Sequence, residues 1–325
     1  MDEAQRSEIG RRVKRRLKVL AAVVGILVLA LAAVYFAAPQ WLLGAYENWQ
    51  ARSAGLQKSS VLAGDTRWVY YEGGKGPTLV LLHGYMADKS VWLPLAKYLA
   101  PNFRVVIPDL PGWGESGRNP QGDYGYGAQV QRLHRFVDTL QLGAVAIAGH
   151  SMGGAIAGDY AATYPGDVAA LVLVDSAGVP FKENAFARAL KAGRNPFDIG
   201  DRAGFERLIG TTFAKPPWLP PRIEDVFVAR AVRDRAFADD VMRRITAPGQ
   251  NDILVGALPT VTAPTLTIWF REDRVIDVSA MDAIRNGLKR APQIGVAELN
   301  GCGHMSIMER PREVADAITH FVLMP

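Results

Sequence analysis

The chain has 325 residues, of which 49% are hydrophobic, and its formal net charge is +5 at neutral pH. This length supports one large hydrophobic core with an inserted subdomain. The charge is unevenly distributed, because residues 1–18 hold a net charge of +4 and leave only +1 for residues 19–325. The sequence therefore does not predict a basic surface over the body of the protein, and nucleic-acid binding loses its main support.

Twenty residues without a charge, Val19 to Ala38, follow this basic N-terminus directly. At about 1.5 Å rise per residue, a helix of this length spans the roughly 30 Å hydrocarbon core of a bilayer. Trp41, Tyr46 and Trp49 come next, and such amphipathic rings suit the boundary between membrane and water. We therefore predict a basic cytoplasmic tail (1–18), an uncleaved transmembrane helix (19–38) and a juxtamembrane segment (39–60).

A cleaved signal peptide is the competing interpretation of this N-terminus. The apolar region of a signal peptide typically has about 7–15 residues, and Pro39 fits poorly directly after the small residues Ala37 and Ala38. Residues 41–57 fit either a helix lying along the bilayer or a plain linker.

The excess of Lys and Arg before the span predicts a single-pass topology with a cytoplasmic N-terminus. The rest of the chain then lies on the opposite side, which in a bacterium is the periplasmic side of the inner membrane. The bilayer is an expected partner and nucleic acid is not. A homo-oligomer formed through the membrane-proximal segment is compatible with this topology.

The five residues Gly149-His150-Ser151-Met152-Gly153 match the nucleophile-elbow pattern G-x-S-x-G. An apolar run (144–148) precedes them and a stretch rich in Gly and Ala (153–162) follows, which is the strand–turn–helix context that this pattern requires. Glycines on both sides avoid clashes at the strained turn, and the helix N-terminus favours negative charge near the serine. We predict that Ser151 is a nucleophile rather than part of a glycine-rich structural turn.

A nucleophilic serine needs a general base, and the chain has five histidines. Four have structural interpretations: His83 shapes the loop after a strand, His150 adjoins the serine, His134 lies on the solvated side of a helix, and His320 lies in the last helix. His304 remains, in the loop between the last strand and the C-terminal helix. Its late position fits the chain order Ser, Asp, His of hydrolases with this elbow. His304 is the predicted general base.

Two aspartates compete for the role of orienting that base. Asp273 follows the apolar strand 265–269 by a short turn, and the last-but-one strand usually supplies the acid in this architecture. Asp175 ends the strand 170–174 and is the alternative, although a residue there also fits a simple turn. We predict Asp273.

Backbone N–H groups are expected to form the oxyanion hole. One donor is Met152, the residue after the nucleophile. The loop His83-Gly84-Tyr85 resembles the HG-x element of hydrolases, which makes the Tyr85 N–H the second predicted donor.

Seven short apolar segments alternate with helical patterns, which predicts a mostly parallel sheet with helices on both faces. These segments are Trp68–Tyr71, Leu79–Leu82, Val105–Ile107, Val145–Ala148, Leu171–Val174, Leu266–Trp269 and Ile294–Leu299. The alternation stops between Asp175 and Val261, where helical patterns and bulky apolar residues predict a helical cap (179–260). The cap would divide the core into residues 61–178 and 261–325. Most of its apolar residues are expected to pack on the core, and some to line a channel for an acyl chain.

No spacing of Cys and His predicts a metal site, and no glycine-rich motif predicts a nucleotide cofactor, so we expect neither metal nor cofactor. The single cysteine, Cys302, lies two residues from His304, and packing or turn geometry is the favoured role for it.

From about Val61 to its C-terminus, the chain resembles the α/β-hydrolase superfamily. Within it, the chain is similar to membrane-anchored monoacylglycerol lipases and related bacterial lipases and phospholipases. The similarity lies in residues 82–85 with 88–92, residues 149–154, residues 263–269 with 273–278, and residues 302–311. Phe270 departs from the family pattern, in which glycine usually follows the tryptophan. The resemblance implies an α/β-hydrolase fold and a lipid ester substrate such as a monoacylglycerol, lysophospholipid or phospholipid.

These observations together predict a membrane-anchored serine hydrolase of carboxylic esters. A thioesterase, an amidase or a carbon–carbon bond hydrolase would use the same residues, so these alternatives stay open. Haloalkane dehalogenases and epoxide hydrolases are disfavoured, because they use an aspartate where Ser151 stands. A non-catalytic hydrolase fold that serves binding is the alternative from a different class.

Overall fold

The N-terminal part of the protein is helical. The computed structural model describes residues 3–324, with side chains at residue 5 and from residue 10 onward. Of the predicted basic tail, residues 1–2 and the side chains of residues 3–4 and 6–9 lie outside the described part. Helix α1 (Glu3–Ala37) contains the predicted span except for its last residue, Ala38, and α2 (Pro39–Ser53) follows it. By length and composition alone, Gly10–Ala37 could cross a membrane, a test that a signal sequence also passes.

An eight-stranded sheet forms the centre of the fold, in the order β1-β2-β4-β3-β5-β6-β7-β8. Its strands are β1 (Leu56–Ala63), β2 (Thr66–Gly74), β3 (Thr78–Leu82), β4 (Arg104–Pro108), β5 (Val145–His150), β6 (Val168–Val174), β7 (Thr265–Phe270) and β8 (Ile294–Leu299). Strand β2 runs antiparallel to its neighbours β1 and β4, and the remaining neighbours are parallel. The predicted mostly parallel sheet is confirmed.

The first strand of the sheet, β1, was not predicted. It pairs antiparallel with β2 along its whole length, so the sheet begins at Leu56 rather than near Val61. The juxtamembrane segment predicted at 39–60 therefore consists of helix α2 and the first half of β1. Of the two interpretations of residues 41–57, the helix agrees with the structure for most of that range.

Helices cover both faces of the sheet. They are α3 (Leu93–Leu99), α4 (Tyr126–Thr139), α5 (Met152–Thr163), α6 (Ala185–Lys191), α7 (Arg202–Thr212), α8 (Pro221–Ile245), α9 (Ile253–Ala257), α10 (Ala280–Gly287), α11 (Ser306–Glu309) and α12 (Pro311–Leu323). Strand residues alternate in direction, so Leu79 faces α3 and α12, whereas Val80 faces α4 and α5. The predicted two-sided covering is confirmed.

Helices α6, α7 and α8 form the cap inserted between β6 and β7. Helix α9 also falls within residues 179–260, but it packs against α5, and its Leu254 N–H donates to the Gly178 carbonyl at 2.8 Å. The last part of the predicted cap segment thus packs with the core. The cap begins after the carboxyl end of β6, the edge of the sheet at which Ser151 also follows β5, and residues of the cap line the same cavity as Ser151.

Candidate active site

Ser151 occupies a sharp turn between the end of β5 and the start of α5. Its backbone has φ 54° and ψ −121°, a conformation that is strained for a residue with a Cβ. A Cβ at Gly149 would lie 2.1 Å from the Gly153 carbonyl oxygen, and one at Gly153 would lie 2.4 Å from the Leu82 oxygen. Only glycine fits at either position, and the strand–turn–helix geometry predicted for the elbow is present.

His304 and Asp273 are brought together at the ends of β8 and β7. Both are buried, and His304 Nδ1 lies 2.8 Å from Asp273 Oδ2. The other carboxylate oxygen of Asp273 accepts hydrogen bonds from the N–H groups of Val275 (2.7 Å) and Ile276 (3.0 Å), which fixes its orientation. When Nδ1 donates to this carboxylate, His304 Nε2 carries the lone pair and can accept a proton.

Ser151 and His304 line the same cavity, which has a volume of about 620 Å³. Gly84 and Tyr85 line it as well, and a Cβ at Gly84 would lie 3.1 Å from the Ser151 Cβ. No hydrogen bond joins Ser151 Oγ to His304 Nε2 among the described residues, and the buried Nε2 has no other partner there. Such bonds are often long in ligand-free active sites and tighten when substrate binds.

Of the two predicted oxyanion donors, Met152 follows Ser151 directly in the chain and Tyr85 lines the same cavity as Ser151. Met152 is the first residue of α5, where a backbone N–H has no acceptor within its own helix. Tyr85 follows Gly84 in the loop after β3. Its ring packs against Phe197 with 5.4 Å between centroids, and its hydroxyl donates to the Ala238 carbonyl of α8 at 2.8 Å. The Tyr85 side chain thus joins the core to the cap.

Two further buried histidines hold the loops of the site. His83 Nδ1 lies 2.8 Å from the Gly84 oxygen, and its Nε2 accepts from the Leu110 N–H at 2.9 Å. His150 Nε2 lies 2.7 Å from the His304 carbonyl oxygen. Burial lowers the pKa of His83 to about 4 and that of His150 to about 3, so both rings are neutral at physiological pH. The link from His150 to the backbone of His304 was not predicted from the sequence.

The remaining candidates lie away from the chemistry. His134 of α4 is half-buried, pairs with Asp167 (2.9 Å) and stacks on Tyr164, and His320 is exposed on α12. Cys302 is fully buried, and burial raises the pKa of its thiol, which agrees with a packing role. Among the described residues, no group of three or more His, Cys, Asp or Glu could hold a metal ion.

Asp175, the alternative acid, is fully buried at the end of β6 with φ 46°. One of its carboxylate oxygens accepts a hydrogen bond from Ser306 Oγ, and no bond joins it to His304. Burial, and then the charge of Asp273, raise the pKa of Asp175 well above its ordinary value. The structure therefore brings Asp273, and not Asp175, to His304 Nδ1.

Glu309 joins the cap to the loop that carries His304, a role that the sequence analysis missed. Its carboxylate accepts from the N–H groups of Gly303 (2.7 Å), Lys215 (2.9 Å) and Ala214 (3.1 Å). The first is next to His304 and the other two belong to the cap. The sequence signal for this role was the position of Glu309 within residues 302–311, a stretch that carries part of the resemblance to the hydrolase family.

Replacing Glu309 with alanine should lower the free energy of unfolding by about 1–3 kcal/mol, because three backbone donors lose one shared acceptor. We also expect a several-fold lower kcat, since the loop of His304 is held less firmly. Urea unfolding and ester turnover measure the two effects. Glu313→Ala, on the exposed side of α12, is the matched control and should change stability by less than about 0.5 kcal/mol. Equal stability of the two variants would contradict this role of Glu309.

A model of the alpha/beta hydrolase family matches residues 79–317 of the chain. The chain belongs to this family. Its sequence is 31% identical over 314 residues to the monoacylglycerol lipase ABHD6 of Bos taurus, covering 91% of this chain and 90% of that protein. It is 32% identical over 265 residues to lipase 1 of Psychrobacter immobilis, covering 80% of this chain and 81% of that protein.

Among solved structures of alpha/beta hydrolases, the chain is similar to a membrane phospholipase A described as a bacterial virulence factor. The two superpose with a TM-score of 0.84 at 34% sequence identity, covering 95% of this chain and 99% of that one. The predictions of an α/β-hydrolase fold and of an enzyme that hydrolyses carboxylic esters are confirmed by these comparisons.

Proposed function

We propose that this protein is a membrane-anchored serine hydrolase that cleaves lipid esters through an acyl-enzyme intermediate. The observation that carries the proposal is the arrangement of a strained Ser151 and a His304–Asp273 pair at one cavity. The names of the relatives, which include monoacylglycerol lipases, a bacterial lipase and a phospholipase A, support a lipid ester as substrate.

In the proposed reaction, Ser151 Oγ attacks the acyl carbon while His304 Nε2 takes its proton. The Asp273 carboxylate holds the imidazole in the required tautomer and stabilises the imidazolium. The N–H groups of Met152 and Tyr85 bind the oxyanion. His304 then gives the proton to the leaving alcohol, and a water molecule hydrolyses the acyl-enzyme in the same way.

The cap supplies an apolar wall that suits an acyl chain. Apolar residues of the cap segment that line the cavity include Phe197, Ile199, Phe205, Leu208, Ile209 and Phe227. Removing an acyl chain from water into such a surface is favourable by about 25 cal/mol per Å² of buried apolar area. This supports a long-chain acyl ester over a small soluble ester.

Detergent-solubilised full-length protein, assayed on a panel of substrates, tests the proposal. The panel contains a monoacylglycerol, a lysophospholipid, a phospholipid, an acyl thioester, an acyl amide and a vinylogous diketone for carbon–carbon hydrolysis. We expect turnover of lipid esters and labelling of Ser151 by a fluorophosphonate, both absent in Ser151→Ala. Preference for the thioester, amide or diketone would move the function to that class. Neither turnover nor labelling would favour a binding protein.

The membrane anchor is supported by the surface of the N-terminal helices. The apolar side chains of α1 are exposed rather than packed on the protein, and Trp41 and Trp49 of α2 are 70% and 63% exposed. The end of α1 contacts the cap, where the Arg222 N–H lies 3.4 Å from the Tyr35 hydroxyl. The mouth of the cap would then lie near the membrane surface, with α1 in the bilayer and its N-terminus in the cytoplasm.

The full-length protein should remain in the membrane pellet after extraction with high salt and with alkaline carbonate, because α1 buries its apolar surface in lipid. Extraction should succeed only with detergent. Immunoblotting of the fractions, with a known peripheral protein as control, measures this. A soluble product that begins near Ala33 or Pro39 would instead identify the segment as a signal peptide.

A further inference from the structure

The juxtamembrane helix α2 forms part of the wall of the catalytic cavity. Gly44, Glu47 and Asn48 of α2 line the same cavity as Ser151 and His304, and α2 packs against cap helix α8. These residues lie near Asp88 and Glu115, which belong to the loops that follow β3 and β4, line the same cavity and act electrostatically on Glu47. We call this region of the cavity the polar arm. The cavity thus has one wall suited to an acyl chain and another suited to a polar group.

The cations of the polar arm are all engaged by carboxylates. Lys89 Nζ lies 2.6 Å from Asp109 and 2.7 Å from Glu115, and Lys58 lies 3.0 Å from Glu115. The arginines that line the cavity are paired as well, Arg118 and Arg233 with Asp234, and Arg230 with Asp88. Among the described residues, each cation that lines the cavity therefore has a carboxylate beside it, and an anionic headgroup would compete with that carboxylate.

Glu47 differs from the other carboxylates of the arm. It forms no hydrogen bond or ion pair with any of the described residues, although it is half-buried. Burial, and then the charge of Asp88, raise its pKa to about 7, while Arg230 and Lys89 act in the opposite direction. Near neutral pH its carboxyl group can therefore both donate and accept hydrogen bonds.

We propose that Glu47 is a specificity-determining residue that binds the hydroxyl groups of an uncharged polyol headgroup, such as glycerol, when the acyl chain lies against the cap. This inference rests on the proposed lipid esterase function. A polyol headgroup fits this region of the cavity. Its hydroxyl groups both donate and accept hydrogen bonds, and they carry no negative charge that Glu47, Asp88 and Glu115 would repel. In this arrangement α2 contacts the polar headgroup of the substrate, and the cap contacts its acyl chain.

Kinetics of the full-length protein in detergent micelles test this proposal with three decanoyl esters. These are monodecanoylglycerol, ethyl decanoate, which lacks the hydroxyl groups, and a decanoyl lysophosphatidylcholine. Glu47→Ala should raise KM for monodecanoylglycerol about tenfold, because a partly buried hydrogen bond to the headgroup is lost. KM for ethyl decanoate and kcat for both esters should change less than about twofold. Glu47→Gln, which keeps a donor and an acceptor, should recover most of the loss.

Gln50→Ala is the matched control, since Gln50 lies one turn further along α2 and does not line the cavity. It should leave all three esters unaffected. Equal losses of Glu47→Ala on monodecanoylglycerol and ethyl decanoate would overturn the proposal in favour of a structural role. A loss confined to the lysophosphatidylcholine would overturn it in favour of a cationic headgroup. If wild-type protein hydrolyses none of the esters, the lipid esterase function itself fails, and this proposal fails with it.

Discussion

Ser151→Ala and His304→Ala should each lower kcat for ester hydrolysis on the order of 10⁴-fold or more, while the fold survives. The serine lies at a strained turn between strand and helix, and the histidine has its Nδ1 fixed by Asp273 at 2.8 Å, while its Nε2 has no hydrogen-bond partner in the part of the chain that the structure describes. Removing either the nucleophile or the base therefore stops acylation. Steady-state turnover of a soluble short-chain ester measures the loss without interference from lipid aggregation.

The control for the histidine variant is His320→Ala, because His320 is exposed on α12 and far from the reaction in the proposed mechanism. It should retain wild-type kcat. Thermal unfolding of each variant distinguishes a lost catalytic group from a lost fold. If Ser151→Ala or His304→Ala keeps more than a few per cent of wild-type kcat in a folded protein, the assignment of that residue is wrong.

The parts of the fold that the sequence predicted well are those with strong local signals. The strands β2 to β8 are short runs containing apolar residues with turn residues around them, and all seven were predicted within a few residues, including β8, an edge strand with no buried residue. Strand β1 was missed because the polar residues Gln57 to Ser60 interrupt its apolar residues, so that it does not stand out as an apolar run, and only Leu56 and Ala63 of its eight residues are buried. A local signal was nevertheless present, since Gly64-Asp65, with φ 63° at Gly64, forms a two-residue hairpin connection.

The predicted site residues came from an elbow motif and from elimination among five histidines. Both arguments use residue type and chain order, which the sequence contains. The contacts that the sequence could not predict join distant segments: Glu309 to the cap, His150 to the backbone of His304, and α2 to the cavity. Each depends on how loops and helices pack in three dimensions, so a local pattern such as the stretch 302–311 can draw attention to Glu309 but does not reveal its partners.

We expect a second large effect on kcat from replacing Asp273, the acid predicted to orient His304. Asp273→Asn should lower kcat by roughly 10³–10⁴-fold, because an amide in this place cannot hold the tautomer of His304 that accepts a proton from the serine. The side chain should stay in position, since the Asn oxygen can still accept from the N–H groups of Val275 and Ile276. The loss would then reflect chemistry rather than unfolding.

Asp175→Asn is the matched variant and should cost far less kcat. Burial and the neighbouring charge of Asp273 raise the pKa of Asp175, so its neutral form is favoured and an amide resembles it closely. The amide oxygen can still accept from Ser306 Oγ. The pKa of Asp175 is higher in the folded state than in the unfolded state, so the folded protein loses stability as pH rises above the unfolded-state pKa. Asp175→Asn removes this loss.

Two measurements on Asp273→Asn and Asp175→Asn, turnover and the pH dependence of stability, therefore test which aspartate orients His304. Turnover should rank Asp273→Asn far below Asp175→Asn. As pH rises above about 4, the ordinary pKa of an aspartate, the unfolding free energy of Asp175→Asn should gain relative to wild type, because the variant lacks the buried Asp175 carboxyl group whose pKa is raised. The reverse ranking in turnover would move the orienting acid to the end of β6. In that case Asp175 would have to reach His304 through a rearrangement of the hydrogen bond that it now shares with Ser306.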